Sequence, residues 1–393
     1  MVASLDIDRI RAETPGIGNQ VHLLACGSAL MPQSVVDAVV DYTRLEADLG
    51  GYEAQAKRQN DLDTVYDSVA RHLSASSREI ALLENATVAW CHAFYALPLA
   101  PKSRILTCEA EYAANYVAFL QRTKRDDLRI EVVPSDETGA LDLDALDATM
   151  DSDVGLIAIT WVPTNGGLVN PAAQVGRIAR KFDVPFLLDA CQAAGQMRID
   201  VDELGCDFLS VTGRKFLRGP RGTGFLYVRD KWLETLEPAI IDHFGAPWVA
   251  RHRYVLRDDA RRFETWENSY ALRAGLGAAV EYADAIGLDA IEARVQALAG
   301  RCRDLLGRHP AISLHDLGRH KCGIVSFSIN GADAEWMADQ LAEVGIVIGT
   351  SLPESTRIDS ENRNLALTLR MAPHYYNTED EIEQAIEKLV SLI

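Results

Sequence analysis

Residues 184–192 read VPFLLDACQ, an apolar run that ends in the carboxylate of Asp189. An apolar run of this length without alternation is typical of a strand that is buried on both faces of a sheet. Residues 212–224 read TGRKFLRGPRGTG, and they place Lys215 in a turn rich in small residues ahead of another apolar run. A buried carboxylate without a partner is costly in free energy, so we expect a cation to face Asp189.

Asp189 and Lys215 together predict a binding site for pyridoxal 5'-phosphate (PLP). The lysine amine would form a Schiff base with the aldehyde of PLP. Asp189 would face the protonated pyridine nitrogen, which makes the ring an electron sink for a carbanion at an amino-acid Cα. Arg214 is a cationic neighbour that disfavours the ammonium form of Lys215. The alternatives are a solvated basic turn around Lys215 and a helix N-cap at Asp189.

A helix N-terminus is the expected site for the phosphate of PLP, because free backbone N–H groups and the helix dipole favour an anion there. Residues 84–87 read ENAT and lie between a predicted strand and a predicted helix. Ala86 and Thr87 would bind the phosphate, and the hydroxyl of Thr212 would add a hydrogen bond. Strand-to-helix turns are common, so this assignment depends on the neighbouring acid and lysine.

Three further residues complete the predicted site. Gln192 would hydrogen-bond the phenolic oxygen of PLP, and Tyr112, which opens a predicted helix, would stack on the ring. Arg370 ends an apolar run, and its guanidinium matches the two oxygens of an amino-acid α-carboxylate. For Tyr112 and Arg370 the alternatives are a core tyrosine and an internal salt bridge.

Apolar runs of strand length alternate with longer helical patterns before residue 230. The runs are residues 79–83, 104–108, 130–133, 155–160, 184–189, 208–211 and 224–228. This alternation predicts an α/β fold with a mostly parallel sheet that helices cover on both faces. Two long helices follow, and then shorter strands at 312–315, 323–329, 346–349 and 365–370 alternate with two helices, which predicts a small α+β C-terminal domain.

Composition excludes several classes of protein. The chain has 393 residues and a formal net charge of -18, with no block of Lys or Arg, so we expect neither nucleic acid nor an anionic membrane as a partner. No apolar run is long enough to span a membrane, and residues 1–8 lack the features of a secretion signal. The seven cysteines are scattered, which favours reduced thiols in the cytoplasm over disulfides or a metal site.

Four motifs resemble those of the class V aminotransferases, in the cysteine desulfurase branch of the fold-type I PLP enzymes, and the resemblance spans nearly the whole chain. The motifs are Asp189-x-x-Gln192, Arg214-Lys215-x-x-x-Gly219-Pro220-x-Gly222-x-Gly224, Glu111-Tyr112-x-x-Asn115 and Arg370-x-x-x-x-x-Tyr376-Asn377-Thr378. The resemblance implies a large PLP-binding domain over 31–285 and a small domain over 286–393. Residues 1–30 would pack on the small domain and the active site.

The same resemblance assigns roles to individual residues. The implied cofactor-binding residues are Ala86, Thr87, Tyr112, Asp189, Gln192, Thr212, Arg214 and Lys215, and the implied substrate-binding residues are Thr164, Asn165 and Arg370. Lys215 is implied to be the catalytic Schiff-base lysine. The resemblance also implies a homodimer with sites at the subunit interface and a small amino acid as substrate.

The reaction is predicted from a departure from the family pattern. Desulfurases carry a nucleophilic cysteine on a mobile loop before the carboxylate-binding arginine, but residues 350–364 contain no cysteine. We therefore expect a C–S lyase that eliminates sulfur from a cysteine conjugate after Lys215 removes the α-proton, and we disfavour a desulfurase that forms a persulfide. Residues 20–28 and 49–53 are similar to those of hercynylcysteine sulfoxide lyases and isopenicillin N epimerase-like proteins. The alternatives are transamination, epimerisation and a PLP-binding regulatory module without turnover.

Overall fold

A computed structural model describes residues 5–393, so the first four residues of the predicted N-terminal segment lie outside the described residues. The helices are α1 (Ile7–Ala12), α2 (Ala25–Ser28), α3 (Gln33–Leu49), α4 (Gly51–Leu73), α5 (Ala86–Ala96), α6 (Ala113–Asp126), α7 (Leu143–Thr149), α8 (Ala172–Lys181), α9 (Val201–Leu204), α10 (Asp230–Leu233), α11 (Tyr270–Ile286), α12 (Leu288–Leu306), α13 (Ala334–Glu343), α14 (Arg357–Asn362) and α15 (Glu379–Val390). The strands are β1 (Val21–His22), β2 (Ile80–Leu83), β3 (Arg104–Cys108), β4 (Arg129–Val133), β5 (Val154–Thr160), β6 (Phe186–Asp189), β7 (Phe208–Thr212), β8 (Gly224–Val228), β9 (Trp248–Ala250), β10 (Arg253–Tyr254), β11 (Ile312–Leu314), β12 (Val325–Ile329), β13 (Ile346–Val347), β14 (Gly349–Ser351) and β15 (Thr368–Met371).

The predicted sheet is confirmed as a seven-stranded sheet in the order β2-β8-β7-β6-β5-β3-β4. The strands from β7 to β4 pair in parallel, and β8 is antiparallel to both of its neighbours. Every residue of β2, β6, β7 and β8 is buried. Burial on both faces explains why these strands read as continuous apolar runs instead of alternating ones.

Helices cover the two faces of this sheet, as the α/β prediction required. Along β6, Leu187 joins a hydrophobic cluster with Trp90 of α5 and Phe119 of α6. The next residue, Leu188, joins a different cluster with Val175 of α8. Consecutive side chains of a strand point to opposite faces, so one apolar run supplies both cores.

A second sheet of four antiparallel strands has the order β11-β12-β15-β14. Strands β11, β12 and β15 of this sheet share a hydrophobic cluster with Leu298 of α12, Met337 of α13 and Ile382 of α15. This part of the chain therefore has a core of its own. The predicted domain bounds of 1–30, 31–285 and 286–393 stay a prediction.

The predicted strand over 346–349 is two short strands in the structure. β13 pairs in parallel with β1, whereas β14 pairs with β15 of the second sheet. The apolar run is divided because its two halves have different partners, which a local pattern does not reveal.

Residues 5–30 contact both sheets. β1 pairs with β13, and the N–H of Ala25 donates to the carbonyl of Ala372 at 3.0 Å. The N–H of Ala29 donates to the carbonyl of Arg214 at 3.0 Å, in the turn after β7. This segment thus connects the second sheet to the turn that carries Lys215.

Candidate active site

The predicted site residues converge at the carboxyl ends of the central parallel strands. Thr160, Asp189 and Thr212 are the last residues of β5, β6 and β7. Thr160 pairs with Asp189 in the register of β5 and β6. In an open α/β sheet this edge is where ligands bind, because the loops after the strands leave a crevice there.

Asp189 is 5% exposed and has two hydrogen-bond donors. Its Oδ1 accepts from the backbone N–H of Cys191 at 2.9 Å, and its Oδ2 accepts from the Nδ2 of Asn115 at 2.9 Å. Both donors are neutral, so they orient the carboxylate without cancelling its charge. A cation placed against it would therefore be favoured.

Lys215 lies in a tight turn between β7 and β8. The N–H of Arg218 donates to the carbonyl of Lys215 at 2.9 Å, and the N–H of Gly219 donates to the carbonyl of Gly213 at 2.7 Å. Arg218 adopts the left-handed conformation with φ 64°. These bonds fix the backbone of the turn, so the position of the amine depends mainly on the side-chain rotamers of Lys215.

Arg218 ties this turn to the two ends of the chain. Its guanidinium is buried and donates to the carbonyl of Leu30 at 2.7 Å, the hydroxyl of Tyr375 at 2.9 Å and the Oγ1 of Thr14 at 2.6 Å. The predicted motif contained Arg218 only as an unspecified position. Its role as an anchor was missed because the partners are distant in sequence.

Burial of Lys215 favours a neutral amine. Burial lowers the pKa of Lys215, and the guanidinium of Arg214 adds to that effect, while Asp189 opposes it. The Nζ of Lys215 lies 6.0 Å from the ring centroid of Tyr112. A lowered pKa increases the fraction of amine that can act as a nucleophile or base at neutral pH.

The N-terminus of α5 lies against the ends of β7 and β8. Asn85 caps the helix by accepting from the N–H of Val88 at 2.9 Å, while helix geometry leaves the N–H groups of Ala86 and Thr87 without an intrahelical acceptor. A Cβ added to Gly224 would lie 3.0 Å from the nitrogen of Ala86. Only glycine allows this close approach, which keeps the helix N-terminus next to the strand end.

Thr212 belongs to the same region, because it pairs with Gly224 in the register of β7 and β8. The structure therefore brings Ala86, Thr87 and Thr212 to one end of the site, where the phosphate was predicted.

Gln192 and Tyr112 lie beside the acid and the lysine. The Nε2 of Gln192 donates to the carbonyl of Cys26 at 3.2 Å and to the Oγ1 of Thr164 at 3.3 Å. Tyr112 is the N-cap residue of α6, and its N–H donates to the Oγ1 of Thr160 at 3.1 Å. Gln192 thus links the N-terminal segment to the loop after β5.

Arg370 reaches this loop from the second sheet. Its Nη1 donates to the carbonyl and to the Oγ1 of Thr164, each at 2.7 Å. Asn165 lies next in the loop, and its Nδ2 donates to the Oδ2 of Asp359 on α14 at 2.6 Å. The predicted substrate-binding residues are thus in contact, and Asp359 is a neighbour that the sequence pattern did not reveal.

Arg214 points away from the strand ends toward the N-terminal segment. Its Nη1 donates to the carbonyl of Gly27. Burial lowers the pKa of Arg214, and the nearby Arg221 adds to the effect. Its role as a cofactor-binding residue stays a prediction.

Two polar residues of the site were quoted in a motif but given no role. Glu111 follows β3 and Asn115 lies in the first turn of α6, and the Nδ2 of Asn115 donates to the Oε1 of Glu111 at 2.8 Å. The signal in the sequence was the four-residue spacing of an acid and an amide at a strand-to-helix turn.

The residues present fit PLP and an amino acid. Within residues 5–393, the Oε1 of Gln192 and the Nε of Arg370 are buried atoms without a hydrogen-bond partner. Buried polar atoms are normally satisfied, so these two mark places where ligand atoms are expected. The Oε1 of Gln192 matches the phenolic oxygen of PLP, and the Nε of Arg370 matches the substrate carboxylate. Asp189 matches the pyridine nitrogen, the amine of Lys215 matches the aldehyde, and the N-terminus of α5 matches the phosphate.

Within the described range, no group of three His, Cys, Asp or Glu side chains could hold a metal ion. None of the helices over residues 5–393 is long and apolar enough to cross a membrane.

Comparisons with known proteins cover the whole chain. The family model for aminotransferase class-V matches residues 21–385. The chain is 30% identical to a probable cysteine desulfurase of Xylella fastidiosa over 99% of this chain and 96% of that protein. The apo structure of a cysteine desulfurase from Thermococcus onnurineus superposes with a TM-score of 0.92 at 24% identity, over 100% of this chain and 99% of that one. A variant of C-DES with glycine covalently linked to the PLP cofactor has a TM-score of 0.87 at 19% identity, over 96% of this chain and 98% of that one.

The prediction that disfavoured a desulfurase is wrong. Its premise holds, since residues 350–364 contain no cysteine, but the relatives that match the chain over nearly all its length are named cysteine desulfurases. The error was to treat one position of the sulfur acceptor as essential to the reaction. A missing thiol in that segment excludes an acceptor there, but it does not prevent removal of sulfur from cysteine.

Proposed function

The chain belongs to the class V aminotransferase family and is a PLP-dependent enzyme, and on that premise we propose that it removes sulfur from L-cysteine. The observation that carries the proposal is the pair of hydrogen bonds from Arg370 to Thr164. Together with the buried amine of Lys215 it supports the proposal, because a guanidinium suits the α-carboxylate of cysteine and a neutral amine suits its α-proton. The full-length relatives named cysteine desulfurases supply the substrate.

Some residues would bind the substrate, and Lys215 would transfer its α-proton. Arg370 would bind the α-carboxylate of cysteine through the free Nε, with Thr164 and Asn165 holding the loop on the other side. Lys215 would hold PLP and, when its amine is neutral, accept the proton from the substrate Cα at Nζ. PLP, when bound, withdraws electrons from the bonds at Cα, and the anionic Asp189 would keep its ring nitrogen protonated.

The sulfur balance requires an acceptor thiol. L-cysteine and a thiol yield L-alanine and the persulfide of that thiol, so the carbon skeleton keeps its atoms and only sulfur is transferred. Burial raises the pKa of the thiols of Cys108 and Cys191, and it raises the pKa of Cys206, Cys302 and Cys322 to about 12. Such thiols are poor nucleophiles, which supports an external thiol as acceptor.

The segment before Arg370 is attached to the rest of the protein. The N–H of Asp359 donates to the carbonyl of Glu109 at 3.2 Å, and the Nδ2 of Asn362 donates to the side chain of the same Glu109 at 2.9 Å. With the bond from Asn165 to Asp359, these contacts hold α14 against the large sheet. Because α14 is held in place, these contacts support an acceptor thiol that comes from solution instead of one carried on a mobile loop of the protein.

The function is tested by incubating the PLP-loaded protein with L-cysteine, with and without dithiothreitol, and measuring alanine, pyruvate and sulfide. We expect alanine and sulfide in equal amounts, and a strong dependence of the rate on the added thiol. Pyruvate with ammonia in place of alanine would contradict the proposal.

Replacing Arg370 by lysine is expected to raise the KM for L-cysteine by about 10- to 100-fold, because lysine keeps the charge but loses the two-pronged geometry. The value of kcat and the absorbance spectrum of bound PLP should change little. Steady-state kinetics over a range of cysteine concentrations measures the effect.

The matched control for this change is Arg357→Lys on the exposed side of α14, where the guanidinium pairs with Glu361. Its KM should equal that of the wild type. A wild-type KM in Arg370→Lys would remove the assigned carboxylate site.

The protein is further proposed to form a homodimer. The hairpin of β9 and β10 exposes apolar side chains, with Trp248 74% exposed and Val249, Tyr254 and Val255 about half exposed or somewhat less. Several exposed apolar side chains on one hairpin are typical of a protein interface, and a second copy of the chain is the expected partner. A reducing compartment such as the cytoplasm is proposed as well, supported by the seven free cysteines.

Replacing Trp248 by aspartate is expected to raise the dissociation constant of the dimer by about 30-fold or more, because a central tryptophan often contributes strongly to an interface. Light scattering after size-exclusion chromatography over a dilution series measures it. The control is Trp336→Asp, an exposed tryptophan on α13. If Trp248→Asp and the wild type dissociate at the same concentration, the hairpin is not the dimer contact.

A further inference from the structure

Glu111 is a second buried acid behind Asp189. It is 3% exposed and lies in the loop between β3 and α6. Its carboxylate accepts hydrogen bonds from a complete set of donors: the Oγ1 of Thr107 at 2.9 Å, the N–H of Tyr112 at 2.9 Å, the Nδ2 of Asn115 at 2.8 Å, the N–H of Thr160 at 3.0 Å and the Oγ1 of Thr160 at 2.5 Å. These donors stabilise the ionised form of the carboxyl group and oppose the effect of burial, which favours the protonated form.

Asn115 connects the two acids. Its Nδ2 lies 2.8 Å from the Oε1 of Glu111 and 2.9 Å from the Oδ2 of Asp189. An amide nitrogen carries two hydrogens, so one hydrogen is available for each carboxylate. The opposite orientation of the amide would place its oxygen against both acids and would require each of them to be protonated. The arrangement therefore fixes the orientation of Asn115 and of the Asp189 carboxyl group.

We propose that Glu111 is a positioning residue that acts through Asn115 to hold Asp189 in the orientation and charge state that bind the ring nitrogen of PLP. Glu111 also accepts from the N–H of Tyr112, so one carboxylate positions both Asp189, through Asn115, and Tyr112, the N-cap residue that would stack on the ring of PLP. The inference rests on the PLP-binding part of the proposed function and is independent of the substrate.

Electrostatics shows why the donors around Glu111 matter. Burial raises the pKa of Glu111 to about 7, the hydrogen bonds from Thr160, Asn115 and Thr107 oppose that rise, and the charge of Asp189 adds to it. Two neighbouring buried anions repel each other, and a neutral amide that donates to both reduces that cost. A cationic ring nitrogen beside Asp189 would lower the cost further, which couples the charge of Glu111 to cofactor binding.

The alternative is that Glu111 only fastens the ends of β3 and β5 through Thr107 and Thr160. That role would affect the stability of the apoprotein but would not depend on Asn115. A double-mutant cycle separates the two roles, because residues that act through one another give non-additive effects.

The experiment titrates apoprotein with PLP for the wild type, Glu111→Gln, Asn115→Ala and the double variant. It measures the dissociation constant of PLP and the absorbance maximum of the bound cofactor, with thermal unfolding of each apoprotein as a check on folding. We expect each single variant to weaken PLP binding by about 10- to 100-fold, the range for one hydrogen bond to a charged group. The double variant should bind no more weakly than the weaker single one. If Glu111→Gln does not fold, Glu111→Asp takes its place, because the shorter side chain withdraws the carboxylate from Asn115.

Thr107→Val is the matched control, since it removes a bond to Glu111 without touching Asn115. It should lower the unfolding temperature of the apoprotein and leave the PLP dissociation constant and spectrum unchanged. Additive losses in the double variant, or wild-type PLP binding in either single variant, would overturn the proposal. Because no cysteine is used, failure of the desulfuration test leaves this result unaffected, and the reverse also holds.

Discussion

Replacing Lys215 by alanine is expected to lower the rate of alanine formation from L-cysteine by about 10²- to 10⁴-fold, the range for loss of a positioned acid–base group. The same change should abolish covalent attachment of PLP, because burial lowers the pKa of this amine and makes it the nucleophile of the site. Borohydride reduction followed by peptide mass mapping measures attachment, and steady-state kinetics measures the rate.

The control for this experiment is Lys124→Ala, which removes an exposed lysine on α6. That variant should bind PLP covalently and turn over L-cysteine at the wild-type rate. Turnover by Lys215→Ala at the rate of the control, or a borohydride adduct on a different lysine in the wild type, would remove Lys215 from the mechanism.

Replacing Asp189 by asparagine should lower kcat by about 10²- to 10³-fold and shift the absorbance of the bound cofactor. The substitution keeps the size of the side chain but removes the negative charge that stabilises a protonated ring nitrogen. It also places an amide nitrogen close to a donor, either the N–H of Cys191 or the Nδ2 of Asn115. A spectral titration with PLP and the kinetics of alanine formation measure the two effects.

Asp207→Asn is a matched control at the opposite end of the same sheet. Asp207 is also 5% exposed, accepts from the N–H of Phe186 at 3.0 Å and pairs with Lys231 at 2.7 Å. Its replacement should reduce the free energy of unfolding without changing the cofactor spectrum. If both variants changed the spectrum equally, the effect at Asp189 would be one of general stability.

The large sheet could be predicted because its strands are buried on both faces. Residues 186–189 and 224–228 are apolar runs with polar or small residues at their ends, and such runs have few other interpretations in a chain with intervening helices. The acid and the lysine could be predicted as a pair for the same reason, since the ends of neighbouring parallel strands meet at one edge. Local pattern and global arrangement agree at these positions.

The contacts around the site could not be predicted, because they join residues that are far apart in the chain. The bond between Asn165 and Asp359 spans 194 residues, and that between Asn115 and Asp189 spans 74 residues. Asp359 is not marked by its neighbours in the sequence, and the motif that contains Asn115 does not reveal its bond to Asp189. Their roles depend on which surfaces α14 and α6 turn toward the sheet, and tertiary packing decides that.

The choice of reaction failed for a different physical reason. All reactions of this cofactor class use the same lysine and acid, so the residues that were readable in the sequence do not distinguish them. The absence of a cysteine from residues 350–364 concerned only the final sulfur acceptor. The contacts that hold α14 in place support the proposal that the acceptor thiol comes from solution.

The pairing of β1 with β13 has a consequence for biosynthesis. Val21 pairs with Ile346, and the N–H of Ala25 bonds to the carbonyl of Ala372, so the segment that carries Cys26 needs partners that are translated much later. Contacts of such long sequence separation form slowly. The contact between Cys26 and Gln192 is therefore stabilised only after residues 346–372 have left the ribosome, and binding of vitamin B6 is expected to follow their synthesis.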